Sequence, residues 1–115
     1  MNYDSQNIFA KILRGEIPCE KVYENDHVLA FHDLAPQAPT HILLIPKSPV
    51  ACVADARESE AMGQLLLAVG EIARQEGFEE DGFRVVVNNG ARANQTVFHL
   101  HLHLLAGRDL TWPPG

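Results

Sequence analysis

The sequence predicts an α+β fold with a mainly antiparallel sheet, one short N-terminal helix and one long helix. Three observations carry this. Segments with strand character cluster together instead of alternating with helices. Only two segments, near residues 7–15 and 55–77, repeat apolar residues at helical spacing. The composition allows a packed core: 46% of the 115 residues are hydrophobic and mean hydropathy is −0.09, outside the disordered and membrane-embedded classes. At this length one domain over residues 1–115 is expected.

The elements follow in order. Asn7 to Gly15 reads as a short helix, with Ile8, Phe9, Ile12 and Leu13 on one side and Gly15 as its stop. Val22-Tyr23-Glu24 is a short strand, and Asn25-Asp26 supplies a turn. Val28 to Leu34 is the second strand. Pro36 and Pro39 interrupt the pattern before HILLIP, the third strand, which Pro46 and Pro49 close. Met62, Leu65, Leu66, Val69, Ile72 and Ala73 recur at helical spacing, Asp55 with Glu58 resembles a capping box, and Gly77 ends the long helix. Phe83 to Val87 is a strand, Asn88 to Gln95 a polar loop, and Val97 to Leu105 the last strand. Two prolines keep the tail, TWPPG, out of either periodicity.

Charge and composition exclude several classes. Net charge is −6 and the isoelectric point is near 5.4, so a nucleic-acid polymer, which needs a basic face, is not an expected partner. A small anion remains compatible, because a local pocket can oppose the global charge. No apolar run approaches the roughly 20 residues that span a bilayer, so no membrane partner is expected. MNYDSQNIF lacks the basic and apolar regions of a secretory signal. Cys19 and Cys52 show no CxxC spacing and read as free thiols in a reducing, cytoplasmic setting.

The stretch Phe98 to Leu105 reads FHLHLHLL and holds three of the six histidines. On a strand, alternation sends His99, His101 and His103 to one face, and Phe98, Leu100, Leu102 and Leu104 to the other. The leucine face covers a core, expected against the Met62–Ile72 helix. The histidine face admits three readings. It is a polar face that happens to use histidine; or it holds zinc, which imidazole suits; or it is an anion site with covalent chemistry. Against zinc, the outer α-carbons of the trio lie about 13 Å apart on a strand, and no Cys or Glu occupies a matching ligand position. For covalent chemistry, neutral imidazole is a nucleophile near neutral pH. Asn88-Asn89-Gly90 and Gln95-Thr96 add amide, hydroxyl and turn N–H donors for a phosphate. No Walker-type loop and no acidic magnesium cluster is present, so protein donors would carry the charge, with no metal and no cofactor.

His99-Leu100-His101-Leu102-His103-Leu104-Leu105 matches the histidine-triad signature, His-φ-His-φ-His-φ-φ with φ apolar. IFAKILRGEIP, AFHDLAPQAPTHILLIPK, RVVVNNG and GRDLTWPPG extend the match over almost the whole chain. The sequence thus resembles the histidine triad (HIT) superfamily and its Hint branch, the histidine-triad nucleotide-binding proteins. The resemblance implies hydrolysis of purine nucleoside phosphoramidates to the nucleoside monophosphate through a nucleotidyl-histidine. It makes His101 the nucleophile and His99, His103 and His41 the supporting imidazoles. Thr96 and Asn88 would be phosphate-side donors, with Gln95 just before the hydroxyl. Ile8, Phe9, Ile12, Ile17, Phe31 and Leu34 would sandwich the purine of an AMP- or GMP-type substrate, and Asp33 would bind the ribose hydroxyls. From the residues alone, Ile8, Phe9 and Ile12 are the core face of an amphipathic helix and Asp33 an Asx-turn residue. His27 and His32 have no family role and read as structural or solvent-facing.

Family members form two-fold dimers in which the sheets join, so a homodimer is expected, with Trp112 near the partner's site. Ala93-Asn94 stands where relatives often carry Gly-Gly, and Asn tolerates the positive φ that such a loop needs. Thr96 stands where many animal members carry Ser; it keeps the hydroxyl and stiffens χ1. Two other functions fit the same residues: a dinucleoside polyphosphate hydrolase of the same superfamily, and a nucleotide-binding scaffold with incidental turnover.

Overall fold

A computed structural model describes all 115 residues. Its helices are α1 (Ile8–Leu13) and α2 (Ser59–Glu76), and its strands are β1 (Lys21–Glu24), β2 (Val28–His32), β3 (Thr40–Pro46), β4 (Phe83–Val86) and β5 (Leu102–Ala106). The five strands form one antiparallel sheet in the order β1-β2-β3-β5-β4, as the α+β reading expects.

Local chemistry sets most boundaries. Asn7 caps α1 by accepting the Ala10 N–H at 2.9 Å. Asn25 Oδ1 accepts the N–H groups of His27 and Val28 at 2.8 and 2.9 Å, closing the turn between β1 and β2. Gly77, at φ 80°, ends α2 in the left-handed conformation.

From Ile42 to Pro46 the central strand β3 is apolar without interruption because both of its faces are covered. Ile42 and Leu44 join Leu100, Leu102, Leu104, Leu65, Val69 and Ile72 in the larger core under α2. Leu43 and Ile45 turn to the other face and pack with Phe9, Leu29 and Phe31 under α1. The leucines between the histidines thus cover the α2 core, as the alternation predicts.

Four expectations are corrected. The last strand begins at Leu102, not Val97. Pro46, which ends β3, has no N–H to offer a longer ladder, and the Leu100 N–H goes instead to the Val50 carbonyl at 2.8 Å. The second strand stops at His32, two residues short of Leu34, where the Asp33 turn begins. The capping box is not formed: Asp55 lies in a single 3-10 turn, Val53–Asp55, and no side chain caps α2. On α2 itself, Leu66 is 62% exposed and falls outside the core that its spacing suggested.

Leu104 sits between Ile42 of β3 and Val85 of β4 with no exposed surface. Leu104→Ala leaves a cavity there and is expected to cost about 2–5 kcal/mol of unfolding free energy. Urea denaturation checks this: the midpoint should fall at unchanged slope.

Candidate active site

Strands β3 and β5 lie side by side, with Leu43 opposite His103. That register puts His41, Leu43 and His103 on the face away from α2, and His101, one residue before the ladder, packs its ring beside that of His103. His41 is buried, 5% exposed, and His101 is 7% exposed. Phe9 meets the His101 ring edge-on at 5.0 Å between centroids, and the His103 ring stands 5.0 Å from that of His101.

Hydrogen bonds to the backbone decide where each imidazole carries its proton. The Gln37 N–H donates to His41 Nδ1 at 3.0 Å, so a neutral His41 is protonated on Nε2. That Nε2–H donates to His103 Nδ1 at 2.9 Å, which leaves the His103 proton on Nε2. His101 is the opposite tautomer. Its Nδ1 lies 2.8 Å from the carbonyl of His99, which can only accept, so Nδ1 holds the proton and Nε2 a lone pair. Neither the Nε2 of His101 nor that of His103 has a protein partner. Two adjacent histidines therefore present one acceptor and one donor.

These two rings border an apolar cavity of about 300 Å³. Ile8, Phe9, Ile12, Ile17, Phe31, Leu34, Leu43 and Val97 line it, and Asp33 and Thr96 add polar groups to its wall. Leu34 is 99% exposed and Ile8 50%, so the cavity is a cleft open on that side. A second cleft shares Asp33 and His103 and runs past His41, Gln37, Asn88 and Asn94. Asp33 Oδ1 accepts the Ala35 N–H at 2.7 Å, the Asx turn its sequence context suggested, while Oδ2 lies 3.5 Å from His41 Nε2. Asn94 takes φ 65°, the left-handed conformation expected of it in the loop. No Lys or Arg lines either cleft.

The structure thus brings together Ile8, Phe9, Ile12, Ile17, Phe31, Asp33, Leu34, Thr96, His101 and His103, with His41 and Asn88 in the adjoining cleft. Two expected site residues lie elsewhere. His99 is fully buried and faces neither cleft, because residue 99 precedes the ladder and strand alternation does not govern it. Its Nε2–H donates to the Pro46 carbonyl at 2.8 Å. Gln95 is 3% exposed, and its amide is consumed by the backbone of Gly90, Ala51 and Val97, so it braces the loop. Trp112, expected at a partner's site and not at its own, is 81% exposed and lies over the Arg84 guanidinium of β4. Conversely, His32, Leu43, Cys19 and Val97 line the cavity without having been singled out for it. The β2–β3 register, Phe31 opposite Leu43, is the signal that places Leu43.

Asp33, His41 and His103 each offer one ligand atom, all within 4.8 Å of one another. The spacing argument against a metal concerned the outer members of the triad; the fold assembles a different set, in which two of the donors already share a proton.

Fold and site together define a histidine-triad protein. The HIT domain model matches residues 14–110, and the chain belongs to that family. It is 57% identical over 110 residues to an uncharacterised HIT-like protein of Synechococcus elongatus, covering 94% of this chain and 96% of the relative. It is 51% identical to the 14 kDa zinc-binding protein of Zea mays, covering 97% and 90% of the two chains. It is 47% identical to an adenylylsulfatase of Arabidopsis thaliana, covering 97% and 78%. Among solved structures, a HIT family hydrolase from Legionella pneumophila superposes with a TM-score of 0.92 at 46% identity, over 96% of this chain and all of that one. A histidine triad nucleotide-binding protein from Candida albicans gives 0.85 at 32% identity, over 91% and 77%. No helix is long and apolar enough to cross a membrane.

Burial lowers the pKa of His41, His99, His101 and His103 below the ordinary histidine value. His103 falls furthest, to about 4, because the neighbouring His101 and His41 add to its desolvation. The unfolded chain therefore takes up these protons first, and stability present above about pH 6.5 is lost as pH falls toward 4. An NMR titration should find His103 neutral until about pH 4, with the unfolding midpoint dropping over the same window.

Proposed function

We propose that this protein is a hydrolase that cleaves purine nucleoside phosphoramidates, releasing the nucleoside monophosphate and an amine. The observation that carries the reading is the His101 lone pair on Nε2, held by the His99 carbonyl and bordering an apolar cleft of a size suited to a base. In this reading the purine lies among Ile8, Phe9, Ile12, Ile17, Phe31 and Leu34. Asp33 Oδ2 receives a ribose hydroxyl. His101 Nε2 attacks the α-phosphorus, the P–N bond breaks, and the amine leaves with a proton drawn from solvent. Water then attacks the phosphorus and breaks the Nε2–P bond of the nucleotidyl-histidine, giving up one proton to solvent and restoring the neutral imidazole. The His103 Nε2–H and the Thr96 hydroxyl donate to the phosphoryl oxygens, and Asn88 adds a donor from the adjoining cleft. The same attack would expel sulfate from an adenylyl sulfate, the substrate that the name of the Arabidopsis relative, an adenylylsulfatase, indicates for that protein.

The chain acts, in this reading, as one HIT domain in a homodimer. The tail lies along β4 through Arg84 and Trp112, and β4 is a free edge of the sheet, so that edge is where two sheets would join. The partner's leaving-group side would then give the exposed Trp112 a surface. Two free thiols, Cys19 and Cys52, fit a cytoplasmic setting.

A second reading is a zinc protein, favoured by the Asp33, His41 and His103 group and by the name of the maize relative. For these three donors to ligate one ion, His41 would have to move its proton to Nδ1 and give up the bond it accepts there from the Gln37 N–H. The two readings part in EDTA: a phosphoramidase needing no ion keeps full turnover, whereas a zinc-dependent site loses it.

His101→Ala should lower kcat/KM for adenosine phosphoramidate at least about a thousandfold. Mass spectrometry of an acid-quenched wild-type reaction should find the nucleotidyl adduct on His101 alone. Light scattering at micromolar concentration should return the mass of a dimer, and a monomer would remove Trp112 from the site.

A further inference from the structure

His101 owes its tautomer to the His99 carbonyl, so whatever fixes His99 also fixes the nucleophile. His99 is enclosed with no exposed surface, and its own ring has two partners. Its Nε2–H donates to the Pro46 carbonyl at 2.8 Å, which makes Nδ1 an acceptor. The donor to Nδ1 is the Tyr3 hydroxyl, at 2.6 Å. The Tyr3 ring also meets the His99 ring edge-on, 5.6 Å between centroids and 67° between planes. Tyr3 lies outside residues 14–110, the span matched by the family model. It borders neither active-site cleft; it lines a separate cavity of about 400 Å³ with Val50, Ala51 and Met62.

We propose that Tyr3 is a positioning residue for the nucleophile: its hydroxyl locks the His99 ring, and through the His99 carbonyl it holds His101 Nε2 toward the phosphorus. This rests on the hydrolase reading above. The main chain of residues 99–101 has no β-ladder to hold it, since β5 begins at Leu102. It is fixed instead by the Leu100 N–H to Val50 and by the two ends of the His99 ring. Removing the Tyr3 hydroxyl leaves a buried imidazole nitrogen without its donor. The ring then rotates or changes tautomer, and the attached peptide carbonyl moves with it. A small displacement of a nucleophile lowers the chemical step far more than it weakens ground-state binding.

Tyr3→Phe keeps the ring contact and removes only the donor. The expected result is a kcat lowered about three- to tenfold, with KM for adenosine phosphoramidate changed less than twofold. The ring nitrogen-15 resonances of His99 and His101 should shift in the substrate-free protein. Incorporating 3,5-difluorotyrosine at position 3, a stronger donor of the same shape, should restore kcat at mildly acidic pH. An unchanged kcat, a rise in KM alone, or a fall in kcat with both histidine spectra as in wild type would overturn the proposal. If Tyr3→Phe does not fold, the difluorotyrosine protein decides alone, since a shift confined to His99 would break the linkage to His101. The spectra are read without substrate. Failure of the hydrolase reading, seen as full turnover by His101→Ala, is therefore distinct from failure of this linkage.

Discussion

A single hydrogen bond, from His101 Nδ1 to the carbonyl of His99, constrains the rest of the site. It joins residues two apart and requires the His99 peptide to face the imidazole of its own neighbour. A regular ladder would commit that carbonyl to the adjacent strand. The chain therefore stays outside the sheet until Leu102, and Pro46 on β3 is suited to that vacancy because it has no N–H to leave unpaired. Leu100 still enters the α2 core, fully buried, so the irregular stretch is anchored by apolar packing and by its bond to Val50. Packing thus holds a backbone geometry that a strand cannot supply, and that geometry sets one proton.

Much of this was legible in the residues. Alternation assigned Leu100, Leu102 and Leu104 to the core and put His101 and His103 on the opposite face, because side-chain direction follows directly from a period of two. Asp33 before Pro36 announced its Asx turn, and Asn94 took the positive φ that asparagine tolerates. Failures cluster where the period stops or where a contact is distant in the chain. His99 carries the same motif letter as its companions, but its ring obeys the surroundings of an irregular backbone. Gln95 looked like a polar site residue; a buried amide with three backbone partners is indistinguishable from one in a list of letters. The meeting of Tyr3 with His99 spans 96 positions and leaves no local trace. The grouping of Asp33, His41 and His103 needs the β3–β5 register, which local patterns do not encode.

Electrostatics gives the arrangement its direction. Both clefts lack Lys and Arg, and the only fixed charges at their walls are the carboxylates of Asp33 and Glu20. Burial favours the neutral forms of His41, His99, His101 and His103, and every one of their protons except that on His103 Nε2 is held by the backbone or by another ring. An anionic phosphate entering such a site meets dipoles and not cations, so its ground state is held by hydrogen bonds to the anion and by no ion pair.

The positive charge would arise only during the proposed reaction. Once His101 Nε2 bonds to phosphorus, the ring still carries its Nδ1 proton and becomes cationic. The His99 carbonyl, already aligned at 2.8 Å, then accepts a charge-assisted bond in place of a neutral one. Asp33, which favours the protonated form of His101 across the cleft, acts in the same sense. Both interactions strengthen as the bond to phosphorus forms and are weaker before it, which is the condition for lowering a barrier rather than deepening a binding well. A resident lysine would stabilise the bound phosphate and the transition state alike. With no cation in either cleft and a fixed carbonyl beside His101, stabilisation would appear with the proposed covalent step.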